Sequence, residues 1–274
     1  MVFIVFAVLA FAKKQLRIFL FGIGIAMLLT MIGQKYSLSV ILSVFVFYLL
    51  IFLGIWIVQT KKQKKYQATT YYQQTHTDYA QAMHKDIGKR GEFLVFEELN
   101  SLESDGARFL FNIYIPKQDG STAEIDVVIV TKAAIFVIES KNYSGWIFGN
   151  ENSKLWMQTL KDGSKHQFYN PIWQNKTHCK VLADVLKIPC DQVISCIVFS
   201  DRCTFKKIPD STSSVRILHR KQLKPYIEMA QHTLPEIYNE TDVEQMYNTL
   251  LPFTQTDLSI RQKHIAEINS YKAK

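Results

Sequence analysis

From Met1 to Lys65 the chain carries no Asp or Glu, and inside that stretch Leu38–Val58 runs for 21 residues without a charge. A helix of about 20 apolar residues crosses the hydrocarbon core of a bilayer, so residues 38–58 read as a transmembrane helix. Upstream, Ile18–Gly33 supplies 16 further apolar or small residues. With Leu16 added and Arg17 snorkelling to the interface, residues 16–33 make a first span. Met1–Ala12 is apolar but too short to cross, and reads as an interfacial helix or a signal-like stretch that no clean small-residue cleavage site follows.

Charge orients this hairpin. Lys13, Lys14, Arg17, Lys35, Lys61, Lys62, Lys64 and Lys65 account for the whole formal charge of +8, and the Lys and Arg beyond them balance the 24 acids. The basic pI therefore describes the flanks of membrane segments and carries no message about nucleic acid. Clusters before the first span and after the second place both flanks in the cytoplasm, with Gln34–Ser37 as the outer turn. The expected location is thus the inner (plasma) membrane, multi-pass, with the globular part in the cytoplasm. The four cysteines, Cys179, Cys190, Cys196 and Cys203, follow no zinc-ligand spacing and read as reduced thiols.

The organisation that follows is a membrane anchor over 1–60, a basic juxtamembrane segment and polar stalk over 61–86, an α/β domain over 87–205, and a C-terminal strand and helical extension over 206–274. Asp86 caps a helix starting at Ile87, on which Gly88, Gly91, Glu92, Val95 and Leu99 form one stripe. Two glycines beside a glutamate on that stripe admit the close approach of a backbone or ligand. Arg108–Ile115, Glu124–Val130 and Ile135–Lys141 read as successive strands, the last two apolar enough to be buried on both faces. Trp146–Gly149 and Leu155–Leu160 suggest an accessory hairpin. Asn170-Pro171 opens a helix to about Lys187, Val193–Ser200 is a buried strand, and Val215–Leu218 is a further one. Thr241-Asp242-Val243-Glu244 has the pattern of a capping box in a helical tail, which packs on the domain or mediates self-association.

The chemistry concentrates at Asp126, Glu139 and Lys141. If the second and third strands turn about Lys132 and Ala133, residue 130 faces 135 and residue 126 faces 139, with β-carbons about 5 Å apart. Lys141 shares the face of Glu139 by the two-residue repeat. Opposed carboxylates among apolar strands repel, and a divalent cation offsets that repulsion: Mg²⁺ takes few protein carboxylates and fills its octahedron with water and phosphate oxygens. A lysine beside it orients or deprotonates an attacking water and offsets developing charge. The alternative is that Lys141 simply pairs with one acid while the other lies at a solvated strand end. Trp146, Trp156 and Trp173 read chiefly as core, with base stacking as the alternative. Gln174 and His178 share a helix face, which either looks into the cleft or bonds within itself.

In order and spacing, Gly88-Lys-Arg-Gly-Glu92, Glu124-Ile-Asp126, Ile135-Phe-Val-Ile-Glu139-Ser-Lys141, Gly149, Trp156, Asn170-Pro-Ile-Trp-Gln-Asn175 and His178 resemble the nuclease-related domain, NERD, of the PD-(D/E)xK nuclease superfamily. The resemblance runs from Ile87 to Ser200, and Ile125 stands where the superfamily pattern has proline. It implies a restriction-endonuclease-like core: helix, three-stranded antiparallel meander, helix, strand. It implies an enzyme, a metal-dependent phosphodiester hydrolase using Mg²⁺ or Mn²⁺. Asp126, Glu139 and Glu92 would be metal ligands, Lys141 the catalytic lysine, and Gln174 a contact to the phosphate backbone or the site. The implied partner is DNA, with RNA as the alternative. Beside it stand the lipid bilayer, read from the spans, and a homo-oligomer formed through the C-terminal helices. A nuclease-like domain that binds nucleic acid or protein without cutting, and a membrane scaffold, are the competing functions.

Overall fold

The computed structural model describes residues 38–254 apart from Gln118, Ser213 and Ser214, together with residues 262 and 266. The first span over 16–33, the outer turn at Gln34–Ser37, the segment Met1–Ala12 and, apart from residues 262 and 266, the helical extension beyond residue 254 lie outside the described residues. Two compact units are present, Met1–Ala68 and Thr69–Lys274.

In the first unit, α1 (Leu38–Gln67) is one continuous helix with Lys64 and Lys65 in its last turn, where cations complement the exposed carbonyls. Leu42, Phe47, Leu50, Trp56 and Val58 are exposed. Its hydroxyls are satisfied inside the helix, Ser43 donating to Ser39 O and Thr60 to Trp56 O, both at 2.8 Å. An apolar surface all round suits a helix surrounded by lipid or by protein core. Among the described residues this one helix is long and apolar enough to cross a membrane, by length and composition.

The second unit is mixed α/β. In chain order it comprises α2 (Thr70–Thr75), α3 (Ile87–Leu99), β1 (Arg108–Pro116), β2 (Thr122–Val130), β3 (Ile135–Lys141), β4 (Gly145–Phe148), β5 (Leu155–Thr159), β6 (Lys165–Tyr169), α4 (Pro171–Leu186), β7 (Val193–Phe199), β8 (Cys203–Lys207), β9 (Val215–His219), α5 (Arg220–Thr233) and α6 (Glu240–Leu250). One sheet has the order β1-β2-β3-β7-β9, the other β6-β5-β4-β8. β1, β2 and β3 form an antiparallel meander, and β7 joins β3 in parallel. This arrangement is compatible with a nuclease-like core.

Caps explain the helix starts. Asp86 accepts from Lys89 N at 3.0 Å and Asn170 from Ile172 N at 2.9 Å, as their positions in the sequence foretell. The capping box of α6 is formed instead by Asn239 and Asp242, two residues ahead of the Thr241 expectation, because Asn239 sits in extended backbone while Thr241 is already inside the helix. The accessory hairpin is real but is half of a four-stranded sheet, since β6 and β8 complete it. Part of the segment read as a polar stalk is packed into this unit: Tyr71, Gln74, Thr75 and Ala82 are buried. Gln74 serves the edge strand as a substitute neighbour, donating to Phe109 O at 2.8 Å and accepting from Phe111 N at 2.9 Å. Of the three tryptophans read chiefly as core, Trp156 is buried, whereas Trp146 and Trp173 are exposed.

The core lies on both sides of the first sheet. Leu110, Val128, Val137 and Val193 pack with Cys179, Leu182 and Ala183 of α4 on one side. On the other, α3 approaches β3 closely at Gly91, where a β-carbon would stand 2.8 Å from Asn142 Cβ and 3.0 Å from Ser140 Oγ. Gly91→Ala is therefore expected to destabilise the chain by about 1–3 kcal/mol through overpacking. Thermal unfolding of the second unit's tertiary signal should report this as a midpoint lowered by roughly 5 °C.

Candidate active site

The site starts from strand register. β2 and β3 pair Val130 with Ile135, Ile129 with Phe136, Val128 with Val137 and Val127 with Ile138, which is the turn about Lys132 and Ala133 expected from the sequence. Thr131 supplies what that dipeptide lacks: its hydroxyl donates to Ala134 O at 2.7 Å and accepts from Ala134 N at 3.1 Å. Continued by one position, the register sets Asp126 across from Glu139. There the ladder stops, and Ser140 N donates to Asp126 Oδ2 at 2.8 Å in place of a backbone carbonyl. The strands fork at the two acids, and a side chain closes the fork.

Glu139 is buried, and its Oε1 accepts from Lys141 Nζ at 2.6 Å. The same ammonium donates to Gln174 Oε1 on α4 at 3.1 Å. Glu139 Oε2 accepts no hydrogen bond, and His178 Nδ1, one turn along α4 from Gln174, lies 3.4 Å from it. The shared face of Gln174 and His178 thus looks onto Lys141 and Glu139. Lys141 does pair with one acid, as the simpler reading of the residues held, but Asp126 does not lie at a solvated strand end. Burial, then the charges of Glu139 and Glu92, push its carboxyl well above the ordinary aspartate range, against Lys141 and the Ser140 N–H. For Lys141, burial acts downward, but the charges of Glu139, Tyr143 and Asp126 and the Glu139 hydrogen bond prevail, carrying it up to about 12. It is an ammonium at neutral pH.

Glu92 projects from α3, which packs on the face opposite α4. Its Oε2 accepts from Asn112 Nδ2 at 2.8 Å and Tyr71 OH at 3.1 Å, with Lys89 Nζ at 3.5 Å. Burial raises its carboxyl and the charge of Glu124 adds to this, while Lys89, Asn112 and Tyr71 hold it down. Asn112 falls across from Asp126 in the β1–β2 register, at the point where bridging is interrupted, and has a left-handed φ of 49°. Asn tolerates that conformation better than most residues. Its amide joins α3 twice, donating to Glu92 and accepting from Lys89 Nζ at 2.9 Å.

All five expected site residues are therefore placed. Asp126, Glu139, Lys141 and Gln174 come together where the β2–β3 ladder ends, and the charge of Glu92 is felt at Asp126 from the helix on the other side. The sequence reading missed Asn112 and Tyr71. A lone amide within Phe109-Leu-Phe-Asn-Ile-Tyr-Ile115 was the one available signal for Asn112; none existed for Tyr71, whose contact spans 21 residues. Among the described residues no three His, Cys, Asp or Glu side chains converge as a closed metal cage. The oxygen donors instead suit a hard cation that takes two or so carboxylates and keeps its waters, and Glu139 Oε2 is a buried acceptor available to it.

A carboxyl whose folded value is raised contributes stability that is complete below its unfolded value and is lost as pH rises through the folded one. Asp126→Asn keeps an acceptor for Ser140 N and removes the charge. In chelator at neutral pH it is expected to raise the unfolding midpoint, because it removes a charge that burial and Glu139 disfavour. Melting curves from pH 4 to pH 8 should show the gain shrinking toward acid; a gain independent of pH would contradict this electrostatic account.

The comparisons with known proteins agree with the geometry. Residues 87–200 match the nuclease-related domain family. An uncharacterised protein of Bacillus anthracis is 31% identical over 189 residues, which cover 68% of this chain and 86% of the relative. No solved structure matches. The acids at the strand fork, the adjoining lysine and the glutamine-bearing helix all fall within the matched segment, and the chain belongs to the nuclease-related domain family.

Proposed function

We propose that the chain is a membrane-anchored, Mg²⁺-dependent nuclease that hydrolyses DNA phosphodiesters at the cytosolic face, built on a restriction-endonuclease-like core. The observation that carries this reading is the fork at Asp126 and Glu139, where two acids are held opposite each other beside Lys141 and Gln174. Opposed like charges without a cation are costly, and the upward displacement of the Asp126 carboxyl is consistent with that cost.

Asp126 and Glu139 would hold the ion from the sheet, and Glu92 would complete the acidic set from α3. A bound Mg²⁺ polarises the phosphoryl group and lowers the pKa of a coordinated water. Lys141, positively charged at neutral pH, places an ammonium where negative charge develops on the phosphoryl oxygens. With no ion bound, Glu139, Tyr143 and Asp126 hold the Lys141 ammonium protonated, the form that orients a water and offsets charge on the phosphoryl oxygens. Gln174 holds that ammonium by its amide oxygen. His178 Nδ1 lies 3.4 Å from Glu139 Oε2, the oxygen that Lys141 leaves open.

The anchor over 1–60, with spans at 16–33 and 38–58, rests on the composition of the N-terminal stretch and on the length of α1. The Lys61–Lys65 cluster at the end of α1 supports a cytoplasmic location for the globular unit under the positive-inside rule. The domain limits 61–86, 87–205 and 206–274, and self-association through the C-terminal helices, belong to the same reading. A second reading, a nuclease-like domain that binds nucleic acid without cutting it, draws support from the Lys141–Glu139 pair, which neutralises one acid with no ion present.

Purified full chain in detergent, assayed on plasmid and linear DNA, is expected to cut with Mg²⁺ or Mn²⁺ and not with chelator. Asp126→Ala and Lys141→Ala should each reduce cutting at least ~100-fold. Because the ligand carboxylates bind metal when ionised, the Mg²⁺ affinity should rise with pH across the range in which Asp126 loses its proton. DNA binding with no cutting under any divalent ion would select the second reading. Topology has its own check: Lys35→Cys is expected to react with a membrane-impermeant thiol reagent added from outside intact cells, and labelling only after lysis would reverse the proposed orientation.

A further inference from the structure

The four strands of the second sheet contain no Asp or Glu, while β6 contributes Lys165 and β8 contributes Lys206 and Lys207. One face of this sheet is packed: Ile147, Trp156 and Cys203 are buried and sit with Phe168 and Phe205 against Phe199 of the first sheet. The opposite face is open. Trp146 is 51% exposed, Tyr169 44% and Leu155 44%, large apolar exposures for neighbours on one surface. Cross-strand pairing fixes their layout. Trp146 lies opposite Thr159 on β5 and Thr204 on β8, Thr159 lies opposite Lys165 on β6, and four residues along β5 Leu155 lies opposite Tyr169. Trp146 and Tyr169 are thus two strands and four residues apart, a diagonal of about 16 Å. Lys206 Nζ stands 4.9 Å from the centre of the Trp146 ring, so a cation already marks the aromatic that protrudes most.

We propose that this open face is a binding platform for single-stranded nucleic acid, with bases stacking on Trp146 and Tyr169 and phosphates running past Lys165 and Lys206. The proposal rests on the reading of the chain as one that acts on nucleic acid, and it specifies the form of the strand. Exposed aromatic faces on an open sheet bind unpaired bases, whose π-surfaces a duplex keeps covered. Lysines without intervening carboxylates complement a polyanion, and they would repel a basic partner. The face also adjoins the site along the chain. Three residues separate Lys141 at the end of β3 from Gly145 at the start of β4, and Tyr169, whose ring lies 6.2 Å from that of Trp173, closely precedes the helix that bears Gln174. A strand lying on the platform would be led toward the acids at the fork.

The test is fluorescence anisotropy of a labelled oligo-dT of about 20 nucleotides, long enough to span several stacking positions, and of a duplex of equal length, with the full chain in detergent and chelator present so that nothing is cut. Oligo-dT is expected to bind more tightly than the duplex. Trp146→Ala should weaken oligo-dT binding about tenfold, the scale of one base stack, and Trp146→Phe should keep most of it. Lys165→Gln with Lys206→Gln should lower the slope of log affinity against log salt by about 1.4, or about 0.7 for each phosphate no longer neutralised. Lys132→Gln, the same charge change at the β2–β3 turn, should leave the slope as it is. Wild-type affinity in Trp146→Ala, or an unchanged slope in the double lysine variant, overturns the platform, and if metal-dependent cutting persists in those proteins the nuclease reading survives it. Quenching by brominated lipid that disappears in Trp146→Phe, in chain reconstituted into vesicles, also overturns it, because the face would then lie on the bilayer.

Discussion

The register between β2 and β3 is the constraint on which the rest of the second unit depends. Val127, Val128, Ile129 and Val130 and their partners from Ile135 to Ile138 are fully buried, so both faces of this ladder are packed. A slip of one residue would turn every one of these side chains to the wrong layer, and burial on both sides makes such a slip prohibitive. Apolar packing thereby fixes the placement of two carboxylates that would not choose each other's company. Asp126 and Glu139 are opposed because the four pairs preceding them cannot be anything else. The energy that holds the acids together comes from the core, well away from the charges themselves.

Within that frame each acid of the site is met by donors from the protein itself. Ser140 N–H closes on Asp126, Lys141 on Glu139, and Tyr71, Asn112 and Lys89 on Glu92. These contacts explain why the cluster can fold with its charges incompletely compensated, and the carboxyls of Asp126 and Glu92 are both displaced upward by burial. The left-handed Asn112 serves the same end. A strand residue at positive φ is strained by about 1 kcal/mol or more, and here the strain turns an amide toward α3, where it engages both Glu92 and Lys89.

What the sequence disclosed followed its periodicity. β2 and β3 are near-continuous apolar runs, and Asp86 and Asn170-Pro171 stand ahead of helical patterns; each was legible as local pattern, whereas the turn about Lys132 and Ala133 was an assumption of symmetry that the dipeptide itself does not signal. β6 and β8 were not. Lys165-His-Gln-Phe-Tyr169 and Cys203-Thr-Phe-Lys-Lys207 are short, polar on one side, and owe their strand conformation to neighbours in the second sheet. The role of residues 69–85 was hidden for a different reason. Gln74 and Tyr71 look like linker residues because nothing in their vicinity marks them as buried; their partners, Phe109, Phe111 and Glu92, lie 21 to 37 residues away. For the site, the acids, the lysine and Gln174 carried a spacing that could be recognised, whereas the groups that support them are non-local contacts, which no spacing encodes.

The two sheets are joined through the same pair of strands that builds the site. β3 and β7 run parallel in the first sheet, and their continuations β4 and β8 run parallel in the second. The chain crosses at residues 142–144 and 200–202, and Arg202 spans both crossings: Nη2 donates to Asn142 O at 3.0 Å and Oδ1 at 2.9 Å, while Nε donates to Ser200 Oγ at 3.1 Å. Backbone contacts add to this, Ser200 N to Lys141 O and Gly145 N to Arg202 O. Planar guanidinium groups restrain several acceptors at once, which a flexible ammonium would not do as well. Asn142 in turn donates to Ile87 O at 2.8 Å at the start of α3, so the joint between the sheets and the helix bearing Glu92 share one residue. Lys141 lies immediately before that joint. Its position relative to Glu139 is therefore set from both directions, by the buried ladder behind it and by the Arg202 staple ahead.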